Sequence, residues 1–160
     1  MLTEAASALQ STDLATALRQ SFWVYPIVNA GHIVGLALLF GAIVPLDLRL
    51  LGFWRSVPIG AMARILLPVA ITGLVLAVST GALLFSTRAV EYAGVTLFWI
   101  KLSLIAGAVA NALLLHLTAA WTVYQDSELL GTMPRLQLAG ALSIGLWLAI
   151  ILAGRMIGYL

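Results

Sequence analysis

Two histidines and the one lysine of the chain, His32, His116 and Lys101, fall inside or at the rim of apolar runs long enough to cross a bilayer. Ionisable groups are expensive in hydrocarbon, so each is a functional-site candidate. No cysteine is present, so disulfides, thiolate metal sites, iron–sulfur clusters and cysteine nucleophiles drop out. Asp47, Glu91, Asp126 and Glu128 are expected at helix ends facing water. No carboxylate pair or Ser–His–Asp arrangement is evident, which leaves hydrolytic and transfer chemistry little support.

The elements that must carry these groups follow from composition. The 160 residues are 62% apolar and 9% charged, far from the soluble mix of roughly half apolar and a quarter charged. Four stretches, 20–46, 65–87, 102–125 and 136–154, contain no Asp, Glu, Lys or Arg. Each approaches or exceeds the ~20 residues that span the hydrocarbon core. The expected fold is all-α, a single integral membrane domain. Its four transmembrane helices, at about 26–48, 63–85, 95–121 and 135–157, form an up-down-up-down bundle because their loops are short. A formal charge of +2 spread over helix ends, with no basic cluster that could track a phosphate backbone, argues against nucleic acid as a partner.

Residues 1–22 read as a short amphipathic helix on the membrane surface, with Leu9, Leu14, Ala17, Leu18 and Phe22 opposite Gln10, Asp13 and Arg19. Ser11 or Thr12 could cap it. Trp23 and Tyr25 anchor the first span, Pro26 suits its first turn, and Pro45 should kink its last. Arg49, Arg55 and Arg64 form the densest basic cluster, which puts the first loop in the cytoplasm and both termini outside it. Asp126, Glu128, Gly131 and Pro134 make the last loop.

On the first span, Val28, Leu36, Leu39 and Ile43 share the azimuth of His32, with Asn29 and Gly35 beside it. Gly31, Gly35 and Gly41 permit close approach of a helix or a flat ligand. Arg64, Pro68, Thr72, Val75 and Ser79 place hydroxyls on one face of the second span, which is expected to look into the bundle. Gly140, Trp147 and Gly154, with Ser143 beside them, form a seam on the fourth. Depth separates the three ionisable groups: at 1.5 Å per residue His32 lies about 7 Å on one side of the midplane and His116 about 7 Å on the other. Lys101 falls in the half of His32. The plain alternatives are a His32 hydrogen-bonded to Asn29 or Thr72, a Lys101 that snorkels to the headgroups, and a His116 that packs at the interface.

The string His32-Ile-Val-Gly35 followed by Gly41, the element Pro68-x-x-x-Thr72-Gly73, and Leu97-x-x-x-Lys101-Leu102 with Ala110-Asn111 resemble the CopD-like superfamily of bacterial four-helix membrane proteins. That superfamily includes the copper-resistance CopD domain and the HemJ-type protoporphyrinogen oxidases. The chain is most similar to one of its uncharacterised families, through Trp23-Val-Tyr25-Pro26, His32 and Asp47-Leu-Arg49-Leu-Leu-Gly52. In HemJ-type proteins the first-helix histidine and the third-helix lysine are associated with b-type haem, and His32 and Lys101 match those positions.

The resemblance implies a haem b protein of the bacterial inner membrane, with His32 as an axial iron ligand and Lys101, or Met156, as the second. Arg88 or Arg155 would pair with propionates. Electrons would pass between an extracytoplasmic partner and the quinone pool. His116 is a secondary candidate, and two histidines from different protomers of a homo-oligomer could share one iron. The competing expectations are a non-catalytic anchor or assembly subunit of a larger membrane complex, docked through small-residue seams, and a transporter of copper or another cation. Two histidines, four methionines and no expected buried carboxylate make a poor copper path.

Overall fold

The computed structural model describes residues 2–117 and 134–159. Seven helices and no strand occur among them: α1 (Leu2–Gln10), α2 (Asp13–Gln20), α3 (Val24–Leu51), α4 (Ile59–Thr87), α5 (Ala89–Gly94), α6 (Thr96–His116) and α7 (Pro134–Ile157). The expected last turns of the third span and the loop carrying Asp126, Glu128 and Gly131 lie outside the described residues.

Four of these helices, α3, α4, α6 and α7, are long and apolar enough to cross a membrane. Most residues of their apolar windows are uncovered by the rest of the chain, as a surface facing lipid tails requires. α3 runs through Pro45 and ends only at Gly52, which takes a left-handed φ of 106°. There the Phe53 amide donates to the Leu48 carbonyl at 3.0 Å, a glycine-terminated cap of the Schellman kind. The basic cluster of the first loop divides: Arg64 is exposed, whereas Arg49 is only 1% exposed. Its Nε donates to the Val57 carbonyl at 2.7 Å and its Nη2 to the Arg55 carbonyl at 3.3 Å. Arg49 therefore organises the turn between α3 and α4.

Packing sets the lateral order α4, α3, α7, α6, in which the backbones of α4 and α6 stay more than 8 Å apart and meet only through side chains. The α3–α4 seam is close because at Gly35 and Gly73 one helix presents no side chain to the backbone of the other. A Cβ at Gly35 would stand 2.6 Å from the Ala77 nitrogen, and one at Gly73 would stand 2.5 Å from the Leu39 nitrogen. On α7, Gly140 lies against α3, where a Cβ would meet the Asp47 carbonyl oxygen at 3.0 Å. The glycine seams of α3, α4 and α7 are thus used inside the bundle. Gly41 is the exception, with nothing within 4 Å.

The hydroxyl face of α4 points the other way from expectation. Pro68, Thr72, Val75 and Ser79 are exposed, and Ala70, Gly73 and Ala77 face inward. The hydroxyls tolerate this position because each donates back along its own helix, Thr72 to the Pro68 carbonyl at 2.8 Å and Ser79 to the Val75 carbonyl at 2.6 Å.

The N-terminal segment forms two helices. Thr12 breaks it and caps α2, its hydroxyl accepting from the Ala15 amide. Both helices dock on the end of the bundle that carries α5. The Val90 amide donates to Gln10 Oε1 at 3.0 Å, and Arg19 donates to the Thr87 carbonyl at 3.3 Å. α5 occupies a stretch expected to be a loop. Its Tyr92 stacks with Phe85 and Phe98, whose rings lie 5.0 Å apart and nearly parallel at 6°, so aromatic faces bridge α4 and α6 at this end. Burial pushes the Tyr92 phenol above its ordinary value, with Tyr25 and Glu91 adding to the shift and Arg88 opposing it.

Candidate functional site

The close α3–α4 seam brings His32 against the backbone of α4. Its Nδ1 lies 2.9 Å from the Ala77 carbonyl oxygen and 3.2 Å from Thr80 Oγ1. A carbonyl can only accept, so Nδ1 carries the proton and Nε2 keeps its lone pair. Gly81 leaves the room for this ring, because a Cβ there would stand 3.0 Å from His32 Cε1. Neither expected partner of His32 takes part: Asn29 is exposed, and Thr72 faces outward.

Lys101 lies across α7 rather than running to the headgroups. Its Nζ, Cε and Cδ cover Gly154, at 3.4, 3.6 and 3.9 Å from where a Cβ would be. Among the described residues no carboxylate pairs with its ammonium. His32 and Lys101 belong to one end of the bundle, beside the stacked rings of Phe85, Tyr92 and Phe98.

The remaining candidates divide. Arg88 is exposed and reaches Glu91 at 3.4 Å. Arg155 is exposed, donates to the Tyr159 hydroxyl at 2.6 Å, and lies 4.6 Å from the centre of that ring. Met156 is 56% exposed and sits two positions beyond Gly154, which turns it away from Lys101. His116 is remote from this end, its Nδ1 2.7 Å from the Ala112 carbonyl oxygen of its own helix.

A second polar locus, at the other end of α3, was missed by sequence reasoning. Asp47 does not face water: it is 6% exposed and hydrogen-bonded to Ser143 of α7. The correction has a local cause, since α3 continues one turn further than expected and keeps Asp47 within the packed part of the helix. A signal was present: His32, Leu36, Leu39, Ile43 and Asp47 recur at three-to-four spacing, so Asp47 continues the inward stripe. Together with Asn111, His116, Ser143 and Trp147, it lines a largely apolar cavity of about 410 Å³ bounded by all four long helices. Asn111 joins two walls, donating to the Ala139 carbonyl at 3.0 Å. Among the described residues no three His, Asp or Glu side chains gather where they could hold a metal ion together.

Four helices able to span a membrane, with a His–Lys locus at one end and a carboxyl-lined cavity toward the other, define a multi-pass membrane protein. No protein-family model, curated protein or solved structure matches the chain.

Proposed function

We propose that the protein is a b-type haem protein of the bacterial inner membrane, similar in its helix motifs to the CopD-like and HemJ-type group. It carries electrons between an extracytoplasmic partner and the quinone pool. The observation that carries this reading is the hydrogen bond from His32 Nδ1 to the Ala77 carbonyl. A backbone acceptor on one ring nitrogen is how proteins fix the tautomer and orientation of a ligating histidine, leaving Nε2 for the metal. His32, through Nε2, and Lys101, through an unprotonated amine, would hold the iron. When bound, haem supplies one-electron redox chemistry, with its potential set by axial ligands, burial and nearby hydrogen bonds.

The chain's own residues then have distinct tasks. Ala77 and Thr80 hold the imidazole, and Gly81 makes space for it. The stacked Phe85, Tyr92 and Phe98 would shield that end of the bundle. Arg88 and Arg155, both exposed, would pair with propionates at the rim. In this reading the spans alternate up-down-up-down, with the termini outside and the Arg55–Arg64 side in the cytoplasm.

Haem content of the purified protein tests the reading. His32→Ala is expected to lower the haem-to-protein ratio at least tenfold and His116→Ala to leave it unchanged. Equal haem content in wild type and His32→Ala overturns it.

A further inference from the structure

The cavity lined by Asp47 extends well away from the His32 locus, since 15 residues of helix separate Asp47 from His32 by about 22 Å at 1.5 Å per residue. At about 410 Å³ it falls within the roughly 300–1,000 Å³ of small-molecule sites. Its wall is mostly Leu, Ile, Val and Ala with the buried Trp147, and its polar members are Asp47, Asn111, His116 and Ser143. Asp47, one of the polar residues of this wall, carries an unmet polar atom. Asp47 Oδ2 is buried without a hydrogen-bond partner, whereas an isolated polar atom at such depth is normally satisfied. The nearest basic side chain in sequence, Arg49, is committed to the Val57 and Arg55 carbonyls.

The mouth of the cavity indicates what enters. Ile71 of α4 and Leu113 of α6 both line it, and they are 60% and 56% exposed. The backbones of these two helices stay more than 8 Å apart, so the opening is a gap between two apolar faces that meet lipid. A charged ligand would pay heavily to arrive by that route, and an uncharged one would not.

We infer that this cavity binds an uncharged, lipid-soluble hydroxylated ring of the hydroquinone class, whose O–H donates to Asp47 Oδ2 while the ring packs among Trp147, Leu39 and Ile43. The choice of a redox-active ring rests on the electron-transfer reading above; the cavity and its unmet oxygen do not.

The test is equilibrium binding of decylhydroquinone, and of its dimethyl ether, to the purified full chain in detergent. The expected result is saturable binding of the hydroquinone at one per chain, and at least tenfold weaker binding of the ether, which has no O–H. Asp47→Leu should weaken the hydroquinone at least tenfold, and Ala112→Phe, which narrows the cavity and keeps the carboxyl, should weaken its binding as well. The ether comparison uses wild-type protein and decides the matter even where Asp47→Leu fails to fold. Equal binding of hydroquinone and ether, or non-saturable partition unchanged by Ala112→Phe, overturns the inference. So does preferential binding of decylamine, which would make the occupant a cation. In His32→Ala the hydroquinone should bind as in wild type, so loss of haem and loss of this site are read separately.

Discussion

Replacing Gly73 by alanine tests whether the α3–α4 seam holds His32 in position. The new methyl would stand 2.5 Å from the Leu39 nitrogen and 2.8 Å from the Gly35 carbonyl oxygen. Both are helix backbone, so no side chain can swing aside and α4 itself must move. Reaching ordinary contact at about 3.4 Å from the present 2.5 Å takes a shift of roughly 0.9 Å. Overpacking of this kind costs up to about 3 kcal/mol, and alanine's better helix propensity returns about 1 kcal/mol, for a net loss near 2 kcal/mol. A comparable separation one turn on would stretch the contact of His32 Nδ1 with the Ala77 carbonyl from 2.9 Å to about 3.8 Å, outside hydrogen-bond range. Unfolding in detergent followed by circular dichroism, with haem content measured on the same samples, reads both effects. Gly41→Ala is the control, because nothing lies within 4 Å of that position; it should be neutral or stabilising by up to about 1 kcal/mol. The reasoning is refuted if Gly73→Ala is as stable as Gly41→Ala.

Arg49→Ala should destabilise the fold by about 3 kcal/mol or more, since two carbonyls lose a charged donor. Arg49→Lys should restore little of this, because an ammonium cannot reproduce the guanidinium fork; equal stability of the lysine variant and wild type in the same unfolding assay refutes that role. Tyr92 should ionise above the ordinary tyrosine value of about 10. The fold favours the neutral phenol, so its contribution is fully present below that value and is lost as pH rises through the raised one. Ultraviolet titration of phenolate checks this, and Phe98→Ala, which opens the stack, should bring Tyr92 back toward its ordinary value.

How far the molecule was legible in its sequence differs by residue. The four long helices follow from runs of apolar residues, a signal that depends only on bilayer thickness. Their ends were less legible: α3 stops where Gly52 supplies a left-handed cap, not where apolar residues run out. Thr72 and Ser79 misled because hydroxyls that bond their own helix carry no information about which face is buried. The small residues Gly73 and Ala77 carried that information. Asp47 was set aside for its charge and its place near a helix end, although its spacing from Leu39 and Ile43 continues the inward stripe. The partner of His32 was unreadable because it is a backbone carbonyl, which every residue possesses. Arg49 is a similar case, since only the path of the loop determines that its guanidinium meets the Val57 and Arg55 carbonyls. His116 was recognised as separate from His32 and Lys101, but the cavity it lines is formed by side chains from four helices and has no local signature.

The central claim is that His32 ligates haem iron, and the optical spectrum of the purified protein, oxidised and reduced, tests it most directly. Expression with ample haem should give a Soret band that sharpens and shifts on reduction, and His32→Ala should lose it. A wild-type protein without a Soret band under those conditions would contradict the account.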